Sequence, residues 1–380
     1  MYSTVSVSSS SAVSSPAQSS NLHVMRGAFS ILQMQSALKG LANRCIQPGA
    51  MDDLNFFLSR PQLRKKTPSL LSLSRNIQAD APDATVLLYE HHIAGRGTGI
   101  FATDDTTGRR TLVSRPSQRT LFALSACRHL LKRGAQCVLI SFRHEEVAIN
   151  TALGEQVLED SRYSCRWASR EREIAGYLPF EATLDMTLAK LGARTRNHLR
   201  YYRRRAENQL GCVFVPEVKI SREDFIELNR ISAYPVSDET AGWRYDSLGY
   251  MKAPLFCGLR DRDGRWLSLM GGRYYDCNFE MHWQINRTDM PEYSLATVMR
   301  AFHIEHEVQR GTRRMYVEGG TTHSMSHAFV PEKSTDLIVM RQSPIARMIP
   351  GMVKRFLPPE NMLLQVLEDE AMSWHTVKRM

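Results

Sequence analysis

The sequence predicts an α+β fold, layered in the α/β manner and built from two related units. Three observations predict it. The 380 residues are 43% apolar, enough for a substantial core, and a chain of this length favours two domains over one. Stretches with strand alternation and stretches with helical spacing recur in the same vocabulary on both sides of one strongly basic segment. No run of about eighteen apolar residues occurs, so no helix spans a membrane.

Taken in order, the first 51 residues contain no acid and begin STVSVSSSSAVSSPAQSS, a composition too polar and repetitive to pack. Segment 1–51 is therefore expected to be disordered. NLHVMRGAFSILQMQSALKGLANR interrupts its apolar residues with Arg26, Gln33, Gln35 and Lys39, which argues against a secretory signal. A Ser-rich, acid-poor, amphipathic segment also fits an organelle transit peptide. Folded structure is expected from about Asp52, giving a first half over 52–182. ATVLLYEHHI reads as a strand, GIFATDDTTGRRTLVS as two short strands around a turn, QRTLFALSACRHLLKRG as a helix ended by Gly134, and AQCVLISF as a strand.

The second unit spans 183–342. GCVFVPEV is a strand, and SREDFIELNRIS a helix capped by Ser221 with Asp224 at the capping-box position. PLFCGLRDRDGRWLSLMGGRYYD is a hairpin turning at Asp263-Gly264. FEMHWQIN, a helix from about Tyr293 to Gln309, RMYVEG and TDLIVMR complete it. No literal repeat is visible, but the shared vocabulary is that of a duplicated unit. A tail, 343–380, has two helical segments. SPIARMIPGMVKRFL is basic and amphipathic, suited either to packing on the domain or to peripheral membrane contact, and packing is the expectation.

Charge is concentrated. Of the net charge of +10, Lys190 and six arginines between Arg194 and Arg205 contribute a local excess of +7. Leu184, Leu188, Leu191, Thr195, Leu199, Tyr202, Ala206 and Leu210 recur at helical spacing through this stretch, so it is a packed helix with an arginine face, not a free basic arm. Arginine forks suit phosphates, whether of nucleic acid, a phosphorylated carrier or coenzyme A. The seven cysteines are scattered with no C-x-x-C pair, which reads as a reduced cytoplasmic protein without structural zinc. GRGTG at Gly95 to Gly99 lacks the following helix of a nucleotide loop and reads as a glycine hairpin.

In FEMHWQIN, Phe279, Met281, Trp283 and Ile285 alternate with Glu280, His282, Gln284 and Asn286. Such alternation marks either a surface strand or a central strand forming the wall of a cleft. In a cleft, Glu280 and His282 could take a proton from an amine or polarise a carbonyl. His303, His306, His323 and His327 have spacings that a metal could use, but no glutamate follows His323 as in a metalloprotease helix, and no metal is expected. Glu318 precedes Gly319-Gly320 at a strand end, where functional groups often sit.

YLPFEATLDMTLAKLGARTRNHLRYYRRRAENQLGCVFVPEV resembles the segment joining the halves of FemAB-like and CelD-like acyltransferases of the GNAT superfamily. PLFCGLRDRDGRWLSLMGGRYYDCNFEMHWQIN followed by PEYSLATVMRAFHIEHEVQRGTRRMYVEGG is similar to the acyltransferase core of the same family. The resemblance covers roughly residues 82–342 in order of elements, with recognisable motifs only in the second half. It implies a GNAT-like acyl-CoA N-acyltransferase fold of two related halves, with mixed sheets flanked by helices. It also implies transfer of an acyl or aminoacyl group from acyl-CoA, an acyl carrier protein or an aminoacyl-tRNA to a small amine or a cell-envelope precursor. On this reading Glu280 is the base, His282 and Gln284 are polar wall, and Glu318 and His327 are rim groups. Arg287, the amides at Ser294, Leu295 and Ala296, and Arg200 and Arg204 face the donor. The chain departs from the family where NRTDMPEYSLAT replaces the usual phosphate loop and Ser326-His327 replaces a Tyr-Lys pair. Two other classes remain: a non-catalytic partner of this fold in a polysaccharide or envelope complex, and a nucleic-acid-binding protein using the arginine face.

Overall fold

The computed structural model describes residues 21–45, 47, 54–59, 66–74, 82–93, 95–103, 112–143, 149–317, 325–357 and 361–379. The first half contains β1 (Asn21–Arg26), α1 (Ala28–Gln33), α2 (Gln35–Arg44), α3 (Leu54–Leu58), β2 (Lys66–Ser74), β3 (Ala84–Ile93) and β4 (Arg96–Ala102). It continues with β5 (Leu112–Val113), α4 (Arg119–Lys132), β6 (Cys137–Arg143), α5 (Thr151–Leu158) and β7 (Cys165–Pro179). Then come α6 (Leu184–Ala189), α7 (Ala193–Leu210), β8 (Val213–Val215), α8 (Arg222–Arg230), α9 (Asp238–Ser247), β9 (Pro254–Arg260), β10 (Trp266–Tyr275) and β11 (Asn278–Asn286). The last elements are α10 (Leu295–Arg310), β12 (Arg314–Val317), β13 (Val330–Arg341), α11 (Pro344–Phe356), α12 (Met362–Leu367) and β14 (His375–Val377).

These strands join one mixed sheet, ordered β1-β2-β3-β4-β6-β13-β7-β12-β11-β10-β9-β8, with β5 on β3 and β14 on β7. The order contains one motif twice. β2, β3 and β4 are antiparallel neighbours, α4 crosses over, and β6 returns parallel to β4. β9, β10 and β11 repeat this, with α10 as the crossover and β12 parallel to β11. A parallel neighbour requires such a crossover, and the two apolar-faced helices supply it. The halves meet at β7, which pairs with β13 along most of its length and with β12 through Tyr177–Pro179. β13, which the sequence places in the second half, lies between β6 and β7 in the sheet of the first.

Helices cover both faces. In the first half, Phe122, Cys127 and Leu130 of α4 pack on Val86, Phe101 and Val138, while Ile349 and Val353 of α11 pack on Ile100, Leu139 and Ile338 from the other side. In the second, α7 and α10 bury Leu199, Ala206, Val298 and Met299 on one face, and α8 and α9 bury Phe225, Leu228 and Ala241 on the other. The C-terminal tail is thus packed, as the sequence suggested, and β14 adds a strand to β7.

Two expectations are corrected. Residues 21–45 are not disordered: β1 pairs with β2, and Ile31, Leu38, Leu41 and Cys45 are buried against Leu70, Leu87 and Tyr89. Of the polar residues that interrupt this stretch, Arg26 on β1 and Gln33 on α1 are exposed, and Gln35 and Lys39 on α2 are half-buried; the serine-rich stretch before it lies outside the described residues. The basic segment is two helices, not one, because Gly192 is extended (φ −55°, ψ 152°) and separates α6 from α7. Its apolar seam holds across the break, with Leu188, Leu191, Leu199 and Ala206 all buried in one cluster. Among the described residues no helix is long and apolar enough to cross a membrane.

Candidate functional site

Among the described residues, the parallel pair β11 and β12 is in register from Asn278 opposite Arg314 to Met281 opposite Val317. At the far end of the same edge, the Ala233 N–H donates to the Asn286 carbonyl (3.2 Å) and the Thr288 N–H to the Ile231 carbonyl (3.3 Å). Between these two closures, no strand pairs with the edge of β11 at Trp283–Ile285 among the described residues. Backbone groups alternate in direction along a strand. Since the Asn286 carbonyl points to this edge, the N–H and C=O of Gln284 do too. Among the described residues, this unpaired stretch of edge forms a slot with the Gln284 peptide groups turned into it.

His282 is a bulge. On β10, Gly271 lies opposite Trp283 and Gly272 opposite Met281, so β11 carries one extra residue. The two glycines make this possible: a Cβ on Gly271 would lie 2.0 Å from the Trp283 ring, and one on Gly272 2.1 Å from the Glu280 carbonyl oxygen. The bulge reverses the faces. Phe279 and Met281 pack with Val298 and Met299 beneath α10, whereas Trp283 and Ile285 pack with Phe225 and Leu228 on the opposite face. The four polar residues that the sequence placed on one face are therefore divided, with Glu280 on the α8 side and Gln284 on the α10 side.

Glu280 is not a lone carboxylate. It is 5% exposed and paired with Arg273, its cross-strand neighbour, at 3.2 Å; Arg273 is 1% exposed. The guanidinium lies over the rings of Phe57 (5.6 Å) and Tyr275 (5.0 Å). Tyr316, the residue of β12 beside Glu280, packs against Tyr275 and Tyr177. The result is a buried ion pair in a tyrosine-rich pocket. Sequence reading missed Arg273, although its place in the hairpin register opposite Glu280 is a usable signal.

Gln284 faces α10, its Nε2 donating to the Asn286 side chain (2.8 Å) and the Ala296 carbonyl (3.3 Å), while its buried Oε1 has no partner among the described residues. Ser294 precedes the helix in the left-handed region (φ +47°), and its carbonyl accepts from Thr297 (2.7 Å) and Val298 (3.2 Å). The amides of Leu295 and Ala296, in the first turn, have no acceptor among the described residues, as expected of a helix N-terminus. Arg287 is committed elsewhere, to Asp289, in a two-pronged pair at 2.5 and 3.0 Å.

Two arginines fasten α7 to α10. Arg203 bridges Glu305 (2.7 Å) and Glu207 (3.0 Å) over the Phe302 ring, and Arg205 donates to the Glu292 carbonyl (3.0 Å) just before α10. Arg200 and Arg204 face solvent, the first with a weak exposed partner in Asp185 (3.2 Å) and the second donating to the Arg200 carbonyl. Arg194 and Arg196 make no ion pair among the described residues. His327 is a cap: its Nε2 accepts from the Gly192 N–H (3.0 Å) at the start of α7. Glu318 and His323 lie outside the described residues.

The other histidines do not converge. His303 is wholly buried, 4.0 Å from the Cys257 thiol and 3.7 Å from Glu307, and burial pushes its pKa down to about 3. His306 packs on Phe214. Among the described residues no group of three or more His, Cys, Asp or Glu could hold a metal ion. The cysteines are all free thiols, and burial pushes Cys137, Cys165 and Cys212 up to about 12.

A mixed sheet flanked by helices, whose strand order holds the same antiparallel-then-parallel arrangement twice, is an α+β fold of the acyl-CoA N-acyltransferase-like kind. No family model matches the sequence, and no curated protein does. Among solved structures, FemX matches over 82% of this chain and 96% of its own, with a TM-score of 0.50 at 8% identity. L-PGS from Bacillus licheniformis matches over 84% and 96% (TM-score 0.48, 12% identity). A tandem GNAT protein from the clavulanic acid biosynthesis pathway matches over 85% and 99% (TM-score 0.47, 10% identity).

Proposed function

We propose that this chain is a GNAT-like N-acyltransferase, moving an acyl or aminoacyl group from an activated donor, acyl-CoA in the first instance, to a primary amine. The observation that carries the reading is the edge of β11 at Trp283–Ile285, unpaired among the described residues and lying beside the start of α10, where Gln284 donates to the Ala296 carbonyl. A donor laid in the slot hydrogen-bonds to the Gln284 backbone. Its phosphates meet the unpaired amides of Leu295 and Ala296, with the helix dipole behind them. Arg200 and Arg204 supply the outer positive charge; Arg287, held by Asp289, supplies none directly.

The amine nitrogen attacks the carbonyl carbon of the thioester, and the carbonyl electron pair moves onto oxygen. Backbone N–H groups at the slot stabilise the oxyanion. His282, the bulge residue, takes the amine proton in this reading and returns it to the leaving thiolate as the tetrahedral intermediate collapses to the amide. Glu280 is then a positioning group, its charge held by Arg273, and not the base that the strand pattern suggested. Glu318 and His327 remain rim groups in this reading, His327 through its hold on α7. The acceptor follows the resemblance to FemAB-like enzymes: a small amine or the amine of a cell-envelope precursor.

The test is transfer of radiolabelled acyl groups from acyl-CoAs, acyl carrier protein and aminoacyl-tRNA to a panel of amines. His282→Ala should lower kcat by roughly a hundredfold or more, as loss of a general base does. Arg200→Ala with Arg204→Ala should raise the donor KM without changing kcat or the melting temperature. Absence of transfer from every donor, or full activity in His282→Ala, defeats the proposal.

A further inference from the structure

The GRGTG hairpin, which the slot does not use, lines a separate cavity of about 940 Å³ in the first half, a size typical of small-molecule sites. Its deep wall is apolar, from Phe101, Leu130 and Ala135, each less than 5% exposed. Its outer wall is Ile345 and Met352 of α11. Ile345 is 57% exposed, an apolar side chain that folding alone leaves in water.

The charges are unevenly matched. Arg26, Arg96 and Arg133 line the cavity against one acid, Glu90. Glu90 is already satisfied: it pairs with Arg26 at 3.1 Å and accepts from the Gly99 N–H at 3.3 Å. Arg96 and Arg133 are exposed and make no ion pair among the described residues. The strand that follows Arg96 is hydrogen-bonded on both sides. Thr98 donates to the His91 carbonyl (2.8 Å), and the Gln136 N–H donates to the Gly99 carbonyl (2.8 Å). Gly97 and Gly99 have reasons to be glycine: a Cβ on Gly97 would lie 2.6 Å from the Glu90 carboxylate, and Gly99 has φ +70°.

An apolar interior behind two uncompensated arginines selects a particular chemistry. We infer that this cavity binds an anionic amphiphile, with its single apolar chain against Phe101 and Leu130 and its headgroup on Arg96 and Arg133. Guanidinium forks bind carboxylate and phosphate alike. A free long-chain carboxylate and a monoacyl phosphate therefore share this chemistry. The site has no residue in common with the β11 slot, and it stands whether or not that slot transfers acyl groups.

Isothermal titration of the full chain, below the critical micelle concentration, tests this with dodecanoate, dodecyl phosphate, dodecyl maltoside, acetate and inorganic phosphate. The two long anions should bind one per chain, and the tighter of them identifies the headgroup. The neutral amphiphile and the short anions should bind roughly tenfold more weakly or less, for want of either the charge or the chain. Arg96→Ala with Arg133→Ala should weaken both long anions by roughly tenfold or more. Ile345→Asp, at an exposed position that keeps the fold, should do the same. Equal binding of dodecyl maltoside or of inorganic phosphate overturns the inference, as does unchanged affinity in the double arginine variant. Binding only to phosphatidylglycerol vesicles, with no complex in free solution, also overturns it, in favour of a lipid surface.

Discussion

Arg273→Met should separate a buried charge pair from a solvated base. The Arg273–Glu280 pair is 3.2 Å long with both side chains at or below 5% exposure, so removing the guanidinium takes from a buried carboxylate the positive charge it pairs with. Breaking such a pair from one side costs about 3–5 kcal/mol. Loss of the contacts to Phe57 and Tyr275 adds about 1 kcal/mol. Arg273→Met combined with Glu280→Leu removes both charges, and its stability should return to within about 2 kcal/mol of wild type. Urea unfolding followed by circular dichroism measures each corner of the cycle, with the m-value as a check that the unfolded state is unchanged. A loss below about 1 kcal/mol for Arg273→Met, or a double variant as unstable as the single, would mean that Glu280 is hydrated in the folded protein. Its reading as a positioning group would then be wrong.

Gly272→Ala should lower stability by about 1–3 kcal/mol, because its Cβ would lie 2.1 Å from a backbone oxygen that cannot swing aside. Gly264→Ala, at a hairpin tip with φ +84° and open space, should cost only about 1 kcal/mol, and equal losses would refute a special role for the bulge. His303 should make stability depend on pH. Burial depresses its folded pKa from 6.5 to about 3, so the unfolded chain binds the extra proton between these values. Stability from this group is complete above about pH 6.5 and falls by about 1.4 kcal/mol per unit as pH drops toward 3. Glu307, raised by burial above its ordinary 4.5, contributes with the opposite sign as pH rises from that value. The measurement is therefore the difference between wild type and His303→Leu, which should be flatter from pH 6.5 downward, and parallel curves would refute it.

Much of the fold was legible where local pattern and burial agree. β3 is a loosely alternating stretch that stops short of Gly95, α4 has an apolar face ended at Gly134, and Ser221 caps α8 through the Asp224 amide as the sequence indicated. β7 was mostly unread because its middle, SREREI, looks like a solvated charge run. Arg170 and Arg172 in fact pair with the wholly buried Asp336 on the neighbouring strand, a partner 166 residues away for Arg170. The site was half legible for a similar reason. Alternation identified β11 as important, but strict period two cannot reveal a bulge, and one extra residue at His282 moved Glu280 and Gln284 to opposite faces. The Gly271-Gly272 pair on the facing strand was the available clue. His327 could not be read as a cap from sequence, since Gly192 lies 135 residues before it.

The position of β13 has a consequence for how the protein is made. Its place between β6 and β7 stays vacant until Val330–Arg341 leave the ribosome, about 190 residues after β6 is complete. At ordinary synthesis rates that is roughly ten to forty seconds. From the completion of each until then, the facing edges of β6 and β7 lack their central partner, and such edges invite pairing with other chains. A chain cut before Val330 therefore lacks the strand that stands between β6 and β7 in the sheet.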